Sequence, residues 1–436
     1  MISKFAAKPL HRLTVEELVA LLRGKACSAR EVIESCLARI AVQDSVVRAF
    51  VDVDADGAVR RAEELDRRTP SASLHGVPVA VKETIDVGGL RCTLGTEVHG
   101  ARVPDRDAIV VRRLRSAGAI IVGTTVSTEY AIARAGATTN PHSPAHTPGG
   151  SSSGSAAAVA AGMVPLAVGT QTVGSIVRPS IYCGIFGLKP TYGSISTMGS
   201  MPLSSFLDHI GPMARTAADL WLACRVMFDH RPARVTTNGP QTTLAHALRI
   251  DGLMQERIEP PTLEALNRAQ GLLEARGVDV REVTLPPRFT NAVACYETIL
   301  FRDIAMNHGR DRDQFGDVVS ERLRKIVDDG RSVSEQNYAR AIDEAKSYRH
   351  ELRRLLGPDT LILAPATDGA APVFSEETGS SRLQGLWTLV GFPVLAVPCG
   401  KVAGLPVGVQ LIAEPGRDDL VVQAGAYFTA EWPDSA

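Results

Sequence analysis

The sequence predicts an α/β protein in which helices cover both faces of a β-sheet, on three observations. From His75 onward, short apolar runs alternate with helical stretches. None of those runs shows the period-two alternation of a hairpin. The 436 residues suffice for one large α/β domain with insertions, or for two smaller ones.

The first 70 residues read as helices. Thr14 followed by Glu17, and Ser28 followed by Glu31, are capping-box starts. After Ser28, the residues Val32, Ile33, Cys36, Leu37 and Ile40 fall on one helical face. A third helix runs from Asp56 to Arg68 and stops before Thr69-Pro70. Val77-Pro78-Val79-Ala80-Val81 then reads as a buried strand ending at Lys82. A helix over Ala108 to Ala117 and a strand over Ala119 to Val122 follow. A Gly/Ser/Pro-rich passage from Thr138 to Ser155 leads into a small-residue helix, Ala156 to Gly162, and a strand from Val164 to Val168. Residues 230–360 are more helical and more charged, with strands at Leu248–Ile250 and Val278–Val283, and read as an insertion or subdomain. The sheet pattern returns at Thr360–Ala364 and Pro393–Val397. The expected organisation is a single domain over 1–436, with a core at 70–230, a helical insertion at 230–360 and a return to the sheet at 360–436.

Composition narrows the partners. The formal net charge is −1 and the pI is near 6.8, so no global field draws the chain to nucleic acid or to an anionic membrane. A small molecule is the expected partner. Seven cysteines are scattered without a C-x-x-C pair, which argues for buried free thiols rather than a disulfide frame or a zinc site. The start Met1-Ile2-Ser3-Lys4-Phe5 lacks the apolar core of a signal peptide, and no run of about 18 apolar residues suggests a membrane span. A cytoplasmic protein is expected.

Three segments carry chemistry. Lys82 ends an apolar strand, where burial is costly unless the amine is neutral or hydrogen-bonded. Gly149-Gly150-Ser151-Ser152-Ser153-Gly154-Ser155 has a linker's composition, yet runs straight into an Ala-rich helix. Thr170 to Ser175 is a turn after a strand, followed by Arg178-Pro179, where a helix opened by proline places a hydroxyl near free backbone N–H groups.

Together these segments resemble the amidase signature family. The run from Gly149 to Gly162 and then Gly169-Thr-Gln-Thr-Val-Gly-Ser-Ile176 is similar to its signature, with serines 24 positions apart at 151 and 175. Leu74–Lys82, Asn140-Pro141, Asp208–Arg215, Gly391–Pro393 and Leu405–Gln410 match further landmarks in order. The resemblance implies the amidase-signature fold, a central mixed, twisted sheet covered by helices on both faces. It also implies a Ser-cisSer-Lys triad: Ser175 as nucleophile, Ser151 as the bridge after a cis peptide, Lys82 as base. A desolvated lysine is neutral near pH 8 and accepts the proton that a poor serine nucleophile must lose. The N–H groups of Thr172, Val173, Gly174 and Ser175 are the implied oxyanion hole, Ser127 lies in the segment that forms acyl pockets, and no metal or organic cofactor is required.

Gln171 stands where much of the family has Asp, and Val173 where it usually has Gly. If that glycine needs φ > 0, valine there is strained and crowds the acyl pocket. Arg178 sits one residue later than the family's usual arginine. Gln171 and Arg178 together are similar to the malonamidase branch, in which the arginine binds a substrate carboxylate. The expected activity is hydrolysis of a small-molecule amide through an acyl-enzyme, with carbamate or ester hydrolysis as the alternative. An amidotransferase subunit or a non-catalytic binding protein of the same fold ranks lower, as does a Ser-His-Asp site on Asp208-His209. A homodimer is the expected assembly.

Overall fold

The computed structural model describes residues 8–229, 244–250, 257–429 and 431–432. The N-terminal pentapeptide read above, and the start of the 230–360 segment, lie outside these residues.

Among the described residues, eleven strands form one sheet: β1 (Phe50–Val53), β2 (Pro78–Lys82), β3 (Ile120–Thr125), β4 (Leu166–Gln171), β5 (Phe186–Lys189), β6 (His209–Ala214), β7 (His246–Ile250), β8 (Asp279–Val283), β9 (Thr360–Pro365), β10 (Val394–Val402) and β11 (Leu405–Ile412). Their order across the sheet is β1-β3-β2-β4-β6-β5-β10-β11-β9-β7-β8. β2 runs parallel to β3 and β4, whereas β4–β6, β6–β5 and β10–β11 are antiparallel, so the sheet is mixed as expected. β7 and β8 extend the same sheet through β9, so the 230–360 segment adds two strands to its edge as well as helices.

The absence of hairpins is corrected. β10 and β11 form one, turned by Ala403 and Gly404, both at positive φ (49° and 82°). Their pattern hid this because β11 is buried throughout and β10 is buried up to Gly400. A strand covered on both faces shows no polar alternation.

Among the described residues, thirteen helices surround the sheet: α1 (Val15–Arg23), α2 (Ala29–Val47), α3 (Ala55–Asp66), α4 (Ile109–Ser116), α5 (Ser153–Ala160), α6 (Val177–Tyr182), α7 (Ala217–Met227), α8 (Pro260–Glu274), α9 (Ala292–Phe315), α10 (Glu321–Ser332), α11 (Glu335–Leu355), α12 (Arg382–Leu389) and α13 (Asp418–Thr429). Both expected capping boxes are present, at Thr14/Glu17 and Ser28/Glu31. α5 starts three residues earlier than the alanine run suggested, taking in Ser153, Gly154 and Ser155. α6 opens at Val177, so Pro179 is its third residue, where a missing N–H costs nothing because the first turn has no intrahelical acceptors.

The period of two along each strand divides the core. Val79 and Val81 of β2 and Leu395 and Val397 of β10 pack with Leu220 of α7, Leu266 of α8 and Leu420 of α13 on one face. Ala80 meets Val32 of α2 and Ala157 of α5 on the other. There Val394 and Ala396 belong with Ile299 of α9, Tyr348 of α11 and Leu389 of α12. All seven cysteines are free thiols, six of them buried. Among the described residues, no helix is long and apolar enough to cross a membrane.

Candidate active site

β2 and β4 lie side by side and parallel, with Val81 opposite Val168, so both strands end at the same edge of the molecule. Lys82 ends β2 and Gln171 ends β4. Lys82 shares a face with Ala80, the face that α5 covers, and the turn before α5 carries Ser151.

Lys82 is fully buried. Its Nζ donates to Ser151 Oγ at 2.7 Å and to Thr170 Oγ1 at 2.8 Å. Burial pushes its pKa down to about 7, against an opposing pull from the carboxylates of Glu83 and Asp208. A lysine in this state divides between ammonium and amine near neutral pH, and its contacts are hydroxyls rather than a carboxylate.

The Gly150–Ser151 peptide is cis, and Gly149 before it has φ +80°. A Cβ at Gly149 would lie 2.8 Å from the Cα of Pro179, so only glycine fits where this turn crosses α6. The Ser151 carbonyl accepts from the N–H of Thr128 at 3.3 Å, and the N–H of Ser152 donates to the Ser175 carbonyl at 3.3 Å. The turn is thereby fastened on one side to the 127–136 segment and on the other to the turn that carries Ser175. Ser175 is 9% exposed, in a wall of otherwise buried residues. Among the described residues, no backbone or side-chain acceptor takes the N–H of Thr172, Val173, Gly174 or Ser175.

Val173 does not have positive φ, which removes the expected strain. Its side chain is 6% exposed and belongs to the apolar cluster of Val177, Leu386 and Trp387. Ser127 is buried, with its N–H donated to Glu83 Oε1 at 2.7 Å and its Oγ without a partner among the described residues.

Arg178, the second residue of α6, is also buried. Its Nη2 donates to the Gly150 carbonyl at 2.6 Å and to Thr378 Oγ1 at 3.0 Å, while its Nε has no partner among the described residues. Burial lowers its pKa to about 10, and among the described residues no carboxylate forms an ion pair with it. A buried guanidinium without a counter-ion, adjoining the peptide that precedes Ser151, offers a place for an anion.

Several residues here were not singled out by the sequence. Thr170 holds the far side of the Lys82 amine, Glu83 pins the Ser127 segment, and Thr378 reaches Arg178 from a loop 200 positions away. Asp208 accepts from Thr172 Oγ1 at 2.7 Å and from the N–H groups of Leu203 and Ser204 at 2.8 and 3.0 Å. It lines a cleft of about 290 Å³, and burial raises its pKa to about 6. Asp208 and His209 point to different partners, Thr172 and Lys189 respectively, and neither is hydrogen-bonded to Ser175. Thr170, inside the matched signature, and Asp208, at the start of a matched landmark, had a usable signal; the other contacts depend on which segments fold together.

Residues 31–422 match the Amidase family model. A glutamyl-tRNA(Gln) amidotransferase subunit from Roseiflexus sp. (strain RS-1) is 33% identical, with 95% of this chain and 96% of that protein aligned. Among solved structures, a chain from a vestigial protein complex that bears on the origins of an s-triazine catabolic enzyme superposes with TM-score 0.87 at 28% identity, over 96% of this chain and 98% of that one. The peptide amidase of Stenotrophomonas maltophilia superposes with TM-score 0.82, also at 28% identity, over 96% and 97% of the two chains. With the match running almost end to end in sequence and in fold, this chain belongs to the Amidase family, the amidase-signature enzymes.

Proposed function

We propose that the protein hydrolyses a small-molecule amide through an acyl-enzyme on Ser175. The observation that carries this reading is the buried Lys82 amine, brought to a pKa of about 7 and hydrogen-bonded to Ser151. Neutral Lys82 takes the proton of Ser151 Oγ as Ser151 takes that of Ser175 Oγ, and Ser175 attacks the carbonyl carbon. The N–H groups of Thr172 to Ser175 face the developing oxyanion. The proton returns along the same path to the leaving nitrogen, the C–N bond breaks, and water then releases the acid by the reverse sequence. The Arg178 guanidinium, which has no carboxylate partner among the described residues, supports an acyl part that bears a carboxylate, as in the malonamidase-like pattern.

A second reading draws on the relatives, which are named as amidotransferase subunits. In it the chain releases ammonia for a partner that modifies a mischarged tRNA. A hydrolysis screen of matched amides, with and without a free carboxylate, separates the two. Turnover by the isolated chain, with Ser175→Ala losing both turnover and labelling by a fluorophosphonate, supports the first. Turnover of glutamine alone, and only with added partner chains, supports the second. Arg178→Ala should lower kcat/KM for the half-amide by roughly tenfold to a hundredfold and spare a neutral amide of equal size. Equal losses on both, with a lowered Tm, assign Arg178 to structure.

A further inference from the structure

Gln171 is fully buried, and its side chain spans the inside of the turn from Thr172 to Val177. Its Oε1 accepts from the N–H of Ile176 at 2.8 Å and of Val177 at 3.0 Å. Its Nε2 donates to Thr388 Oγ1 at 3.0 Å. Thr388, buried in α12, passes its one hydroxyl proton to the Val173 carbonyl at 2.6 Å. The turn is thus held at its entry, its middle and its exit.

The middle contact matters most. The Val173 carbonyl and the Gly174 N–H belong to one planar peptide unit and point in opposite directions. Anchoring the oxygen on Thr388 therefore aims the N–H away from α12, and that N–H has no acceptor among the described residues. The Gln171 amide completes the chain, where an ionised carboxylate would not. It supplies an acceptor for two N–H groups and a donor for Thr388, whereas a carboxylate supplies acceptors alone. With a carboxylate there, the single proton of Thr388 would be drawn to it and the Val173 carbonyl released.

We propose that Gln171 and Thr388 are positioning residues, a brace that fixes the Gly174 N–H toward the oxygen that becomes anionic in the reaction. This rests on Ser175 being the nucleophile. The test uses the full chain and two probes that need no known substrate: the rate of Ser175 labelling by a fluorophosphonate, and inhibition by phenylboronic acid, which adds to a serine as a tetrahedral anion. Thr388→Val should slow labelling by about tenfold, the scale of one buried hydrogen bond, and weaken the boronate by a similar factor. Thr388→Ser, which keeps the hydroxyl, should restore both. Gln171→Glu should behave like Thr388→Val, and the double variant should lose no more than the larger single loss. Thr388→Val and Gln171→Glu proteins that melt lower but keep both values, or losses that multiply in the double variant, overturn the brace. If Gln171→Glu does not fold, the Val and Ser variants at 388 decide it alone. A wild-type chain that is not labelled at Ser175 overturns the reading beneath and the brace with it; a labelled wild type with unchanged Thr388→Val rates overturns the brace only.

Discussion

Two lysines end buried strands in this chain, and both have pKa values pushed down to about 7 by burial: Lys82 on β2 and Lys189 on β5. Their partners separate them. Lys189 donates to the Pro190 carbonyl at 3.1 Å and contacts His209 Nε2 at 3.1 Å. His209 is held neutral by burial, and its Nδ1 lies 2.6 Å from the Leu207 carbonyl, so that nitrogen carries the proton and Nε2 accepts from Lys189. Its bonds are fully committed, with no hydroxyl leading onward. Lys82 meets two hydroxyls, one of them on Ser151, and so has a route along which a proton can move. If Lys82 is the base, kcat/KM rises with pH along a limb near 7, and Lys82→Met abolishes turnover. The same variant has a stability signature. Below pH 7 both folded and unfolded wild type carry the ammonium, and the fold bears the full cost of burying it. Between about 7 and 10.5 the unfolded chain binds more protons than the folded one, so wild-type stability rises with pH. Lys82→Met should therefore hold its greatest Tm advantage over wild type at pH 6 and lose much of it by pH 9. An advantage that does not change with pH would show that the Lys82 pKa is not lowered in the folded protein.

At the scale of elements, the site depends on how closely α5 approaches the sheet. Gly154 in its first turn permits this. A Cβ there would meet the Ala49 carbonyl at 2.2 Å and the Val126 N–H at 2.5 Å, both backbone atoms that cannot yield cheaply. Gly154→Ala should cost several kcal/mol, the scale of overpacking a filled interior, and should slow fluorophosphonate labelling in whatever protein still folds. A wild-type Tm would mean that α5 rides farther from the β1–β3 edge. The sequence showed the small residues, and their reason lies in backbone atoms more than 25 positions away. It also placed the start of α5 too late, because serine and glycine read as loop until a buried sheet face makes a narrow helix favourable.

The whole molecule is held by one hydrogen-bonded sheet, with apolar clusters on both faces. β7 and β8 join that sheet through β9, and α8 packs on β10 and β11, so the 230–360 segment shares strands and core with the rest. We read the chain as a single cooperative unit. Thermal unfolding followed by far-UV circular dichroism and by tryptophan emission, to which Trp221 of α7, Trp387 of α12 and Trp432 all contribute, should give coincident transitions. Separate transitions by the two probes, with helix lost early, would make the helical layer a domain of its own.

The sequence alone determined the family, the α/β class and the capped helices of the first 70 residues, and it singled out Lys82, Ser151, Ser175 and Arg178 as candidates. Each of these is a property of residue type and local spacing: an apolar strand ending in a lysine, a run of small hydroxyl residues before alanines, a serine after a tight turn. Tertiary structure decided the rest. It decided that Thr170 flanks the Lys82 amine, that Arg178 has no described carboxylate partner, that Val173 is packed without strain, and that Gln171 reaches across to Thr388. These are contacts between segments tens to hundreds of residues apart. Whether a buried polar group is paired depends on what the fold brings to it, and no local pattern encodes that.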